Sequence, residues 1–176
     1  MEEQLQKAKE LFVLYRGNFI HMHREGVLEA YKQFEVGRQV EIDWYSEMID
    51  AYAKELSIRN WEAVSGLGAL AKYYQDARIV DHVTAFISRQ LMGADSIVKL
   101  MYAEKLLEII QTTKNVIAKE KLYEAYRHAL RVLEDIIAKP LIVDPGHELS
   151  LFQLKDKKSL NLRARKSIEE IKLVEF

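Results

Sequence analysis

Apolar residues return every three or four positions along most of this chain, and that period is the signature of amphipathic helices. Leu5, Ala8, Phe12, Tyr15, Phe19 and Met22 keep it, and Ala30, Tyr31 and Phe34 continue near the same face. The spacing predicts one long first helix over 3–34, weakened or bent at Gly17 and Gly26. A second helix is predicted over 41–57, with Ile42, Tyr45, Ile49, Tyr52 and Leu56 as its seam. Asn60 is a plausible N-cap for a third, whose core face is Val64, Leu67, Leu70, Ala71 and Tyr74. Its other face is small (Ser65, Gly66, Ala69), which admits a close neighbour or a kink. The stretch "DARIVDHVTAFISRQL" predicts a fourth helix with Ile79, Val83, Phe86 and Ile87 inward. "MGADS" breaks it, with Gly93 as C-cap and Asp95 as the next N-cap.

The fifth helix, 96–111, is apolar nearly all round, apart from a stripe at Glu104, Lys105 and Glu108. Such a helix belongs at the centre of a bundle. A sixth runs over 115–138, with Leu122, Tyr126, Ala129, Leu133 and Ile136 inward, and stops before Pro140. Beyond it the pattern tends toward alternation: Leu149 and Leu151, then Phe152 and Leu154, then Leu160, Leu162 and Ala164 around a polar "KDKK". That predicts a small β-hairpin, with a helix starting at Ser159 as the rival, and a short last helix capped by Ser167 and Glu170. The expected fold is all-α: about six helices around the central 96–111 helix, with a C-terminal hairpin and short helix. The expected division is a helical bundle over 1–139 and an appendage over 140–176 packed on the same domain.

Composition narrows the function more by exclusion than by assertion. The 176 residues include no cysteine, which removes disulfides, thiolate metal sites and cysteine nucleophiles and suits a cytoplasmic protein. A formal net charge of −1 gives no whole-chain attraction to nucleic acid or anionic membrane. The acidic, polar "MEEQLQKAKE" does not resemble a secretory signal, and no apolar run approaches the roughly 18 residues of a membrane span. No phosphate-binding glycine loop or nucleophile-elbow motif occurs, so no cofactor is expected. No Glu-x-x-His pair of the di-iron kind is present either. Glu124 with His128, and His82 alone, read as surface groups, and no metal site is expected.

"YRGNFIHMHREG", residues 15 to 26, concentrates the remaining chemistry. On a continuous helix, at about 100° per residue, His21 and Glu25 form an outward pair. Arg16 and His23 turn toward the apolar face of Phe12, Phe19 and Phe34. A buried arginine needs a carboxylate, and Glu104 or Glu108 on the fifth helix is the expected partner. An Arg followed by a His at this spacing resembles the motif of HEPN-type ribonucleases, which are helical domains. That resemblance covers Arg16 with His21 or His23 and would imply that Arg16 and one of these histidines, His23 on the apolar face, act on a ribose hydroxyl. Gly17, and the motif's place in the first helix, depart from the family pattern.

Two further sets point to association. Trp44 lies off the seam of the second helix and Trp61 opens the third, so both are expected to be partly exposed, as interface aromatics are. Lys157, Lys158, Arg163 and Arg165 belong to the one local excess of positive charge, suited to guarding a strand edge or meeting an acidic partner. The reading as a whole is an interaction or regulatory protein without catalysis, acting as a homodimer or with a protein partner. A helical ribonuclease or nucleotide-processing domain using Arg16 and His23 is the alternative.

Overall fold

The computed structural model describes residues 1–174. Among them there are nine α-helices and no strand. The long first helix is in fact three: α1 (Glu2–Leu14), α2 (Phe19–Arg24) and α3 (Leu28–Lys32). Each break is a left-handed C-terminal turn. Arg16 takes φ +51° and its N–H bonds back to Val13, while the Gly17 N–H reaches Phe12 O at 2.9 Å. Gly26, at φ +76°, repeats this, with the Val27 N–H on Met22 O. These bonds satisfy the last carbonyls of each helix and stop it, rather than merely bending it. Asn18 then caps α2 by accepting from the His21 N–H.

The middle of the chain follows the predicted pattern. α4 (Arg38–Glu55), α5 (Glu62–Ala71), α6 (Ala77–Arg89), α7 (Ser96–Thr113) and α8 (Lys119–Ala138) succeed one another. α7 is the central helix: its residues from Ser96 to Ala103 are all buried, and it packs against α8, α5 and α6. The small face of α5 admits an aromatic ring. Tyr52 of α4 lies so close over Gly66 that an added Cβ would sit 2.4 Å from it.

The C-terminal hairpin is corrected. Leu149–Phe152 form one 3-10 turn, ended by left-handed Gln153, and α9 (Lys157–Lys172) follows. Leu160, Ala164, Ile168 and Ile171 are the buried residues that explain it, and their spacing is helical. The alternation of Leu160, Leu162 and Ala164 was incidental, because Leu162 points outward. Asp156 and Ser159 cap α9 reciprocally, so Ser167 lies buried inside the helix rather than at its start. α9 packs along α8.

Residues 140–156 form the arm that joins α8 to α9. The arm crosses the N-terminus of α7, where the Ser96 N–H donates to Ile142 O (2.8 Å) and the Ile142 N–H donates to Ser96 Oγ. It then passes the N-terminus of α5, where Phe152 meets the Trp61 ring edge-on at 5.0 Å. No helix among the described residues is long and apolar enough to cross a membrane.

Candidate functional site

Arg16 and His23 do not share a helix, because the left-handed turn at Arg16–Gly17 lies between them. Both are exposed, and neither lines the principal groove described below. Arg16 Nε donates to Tyr52 Oη at 2.9 Å, so the expected partnership with Glu104 or Glu108 is corrected. His21 and Glu25 are the outward pair that the spacing predicts, 3.7 Å apart.

The tryptophans separate. Trp44 is only 5% exposed and packs against Phe12 at 5.3 Å, in a nest with Phe19, Tyr31 and Tyr45. The expectation that it stays at the surface is corrected: with the first helix folded back in three pieces, α1 covers it. Trp61 is partly buried under the arm, against His147 and Phe152.

The basic stretch separates too. Lys157 turns inward and its ammonium donates to Ile136 O near the end of α8, where burial pulls its pKa below the usual lysine range. Arg163 makes two bonds of 2.7 Å to the carboxylate of Glu104 and a third to Phe152 O. The Glu104 hydrogen bonds raise the pKa of its guanidinium further. This arginine, 59 residues from Glu104, takes the role expected of Arg16. Lys158 and Arg165 remain in solvent.

The principal concavity lies between α7, the arm and α9. This open groove of about 660 Å3 has Leu107 and Glu108 on one wall and Phe152 and Leu154 at its end. Leu162, Lys166, Glu170 and Ile171 make the other wall, and the Arg163–Glu104 pair crosses it. Its lining holds no histidine, and its one arginine is already committed to a carboxylate. The groove thus offers apolar contact with a charged rim. On α8, Glu124, Arg127, His128, Arg131 and Glu134 line a smaller hollow, where burial lowers the His128 pKa.

A second cluster was not foreseen. Asp95, Asp144 and His147 place one ligand atom each within 4.8 Å of one another. Asp95 is the N-cap that the sequence predicts, accepting from the Val98 N–H at 2.8 Å. Its other oxygen accepts from the Asp144 N–H at 2.8 Å and from His147 Nδ1 at 2.6 Å. That carboxylate has no exposed surface and is fully engaged in hydrogen bonds, so the cluster is a joint between arm and central helix. Asp95→Ala is expected to cost about 2–4 kcal/mol, a lost cap plus the buried donors left unpaired. Urea unfolding measures it. Zinc or a chelator should leave the wild-type melting temperature unmoved. A zinc-dependent rise that Asp95→Asn abolishes would instead make this a metal site. The sequence signal was confined to "ADS"; nothing local linked it to "DPGHE" some 50 residues on.

Compared with known proteins, the chain matches no family model, no curated protein and no solved structure.

Proposed function

We propose that this chain is a helical interaction protein, without chemistry of its own, that works as a homodimer through the face formed by α9, the arm and α7. One observation carries the reading. Large apolar side chains stand in solvent around the groove: Leu162 (57% exposed) lines it, Leu151 (72%) precedes Phe152 of its end wall, and Leu173 (81%) adjoins its lining at Val174. Exposed leucines gathered beside a concavity are a feature of association surfaces. The groove supports binding better than catalysis, because its arginine and the facing glutamate neutralise each other. Arg16 and His23, separated by a helix break, lend no assembled pair to a nuclease reading. A cytoplasmic setting agrees with the lack of cysteine.

Light scattering tests the proposal. At high micromolar concentration the protein should show twice the 20.5 kDa mass of one chain, falling toward that mass on dilution. A single-chain mass at every concentration would sink the proposal.

A further inference from the structure

α9 presents its buried residues to α8 and leaves one stripe facing outward. Leu162, Lys166, Glu169 and Leu173 follow one another at steps of four, three and four residues, and all are exposed. At about 100° per residue these steps keep the four side chains within a narrow sector of the helix. Leu173 belongs to the stripe because it closes the helix in right-handed helical conformation, at φ −80° and ψ −8°. The stripe reads apolar, positive, negative, apolar, and it is the same distance from either end to the middle.

We infer that this stripe is the contact between two copies of the chain, with α9 running antiparallel to the partner's α9 about a two-fold axis level with Ser167 and Ile168. The inference rests on the dimer reading above and names its surface and register. In that register Leu162 of one copy lies across from the partner's Leu173. Lys166 lies across from the partner's Glu169, and both contacts occur twice. Parallel pairing in register would set Lys166 against Lys166 and Glu169 against Glu169, which like charges disfavour. Antiparallel pairing turns the same four residues into two ion pairs between two leucine contacts, and it also opposes the helix dipoles favourably. Among the described residues of one copy, the Glu169 carboxylate forms an ion pair with Lys172, at 3.7 Å with both groups largely in solvent. A pair that weak gives way readily to a better one.

The groove of each copy borders this contact, because Leu162 and Lys166 of the stripe also line it. The pairing length is modest. α9 has 16 residues, about 24 Å of helix, which places the interface at the small end for specific complexes.

The experiment is sedimentation equilibrium on the full chain and four variants, with circular dichroism to verify the fold, since all the altered positions are in solvent. Leu162→Asp should weaken association about a hundredfold. Lys166→Glu and Glu169→Lys should each weaken it about tenfold, through two like-charge contacts per dimer. Combining Lys166→Glu with Glu169→Lys exchanges the two charges and should return association to within about threefold of wild type. A monomeric wild type overturns both this inference and the reading it rests on. A dimer indifferent to all four variants overturns the α9 contact alone. A double variant weaker than either single one overturns the antiparallel register.

Discussion

Asp135→Leu is expected to destabilise the protein by about 3–5 kcal/mol, although it adds apolar volume at a mostly buried position. The reason is Lys99. It sits on central helix α7, is itself buried, and donates to Asp135 of α8 at 2.8 Å. Without that carboxylate a buried ammonium has no counter-charge. Lys99→Met should cost much less, about 1 kcal/mol, because Asp135 keeps Lys139 at 2.7 Å. The double variant Lys99→Met/Asp135→Leu should recover most of the loss, since it removes both charges together. Denaturant unfolding of the three variants checks the ordering. A double variant as unstable as Asp135→Leu would show that the effect is one of shape and not of charge.

The same pair fixes a dependence on pH. Burial by itself would push the Asp135 carboxyl up, but the hydrogen bonds from Lys139 and Lys99 outweigh it and hold the carboxyl below the usual aspartate range. A folded-state pKa below the unfolded one gives stability that is fully present above the unfolded value, about 3.9. It is lost as the pH falls through the folded value. The wild type should therefore lose stability below about pH 4 more steeply than the double variant does.

Gly17→Ala is the other large effect, expected at about 2–5 kcal/mol. Gly17 has φ +67°, and a Cβ there would stand 2.3 Å from Tyr45 Oη, in the aromatic core under α1. Tyr45 is nearly without solvent contact, stacks on Tyr74 at 4.6 Å and donates to Gly17 O at 2.7 Å, so its ring has nowhere to go. Gly26→Ala supplies the comparison. Its φ is +76°, but a Cβ there meets nothing within 4 Å, so it should cost only the backbone strain, about 1 kcal/mol. Equal losses at the two glycines would mean that Tyr45 does not hold the turn.

What could be foreseen from residue order depended on how far each signal reaches. The seams of α4 to α8 are local, repeat several times, and led directly to those helices and to the central place of α7. Asp95 as an N-cap was legible for the same reason, since the N–H it accepts from lies three residues on. The wheel drawn through 3–34 failed because it assumed a continuous helix. The break depends on Arg16 adopting a left-handed conformation that few side chains take, and the ring of Tyr45 from another helix sits against the turn. A continuous helix puts His23 on a face it does not occupy; Trp44, off the seam of its own helix, is covered by Phe12 of α1, a contact from a distant part of the chain. At the C-terminus, Leu160, Leu162 and Ala164 satisfied a strand period over a few residues, while the helical set Leu160, Ala164, Ile168 and Ile171 needed a longer window. Partners distant in the chain, Glu104 with Arg163 and Asp95 with His147, leave no mark on their neighbours in sequence.

The Asp95 clasp also bears on how two chains can be joined. Trading a terminal helix between copies is a low-cost way to make a dimer when the hinge opens freely. Here the hinge would be the 140–156 arm. Swinging it out would strip the Ser96, Ile142 and Asp144 N–H groups of their acceptors together and leave the His147 ring without its carboxylate. α9 is thereby held on its own α8, and a dimer of the kind proposed would join finished molecules, surface to surface.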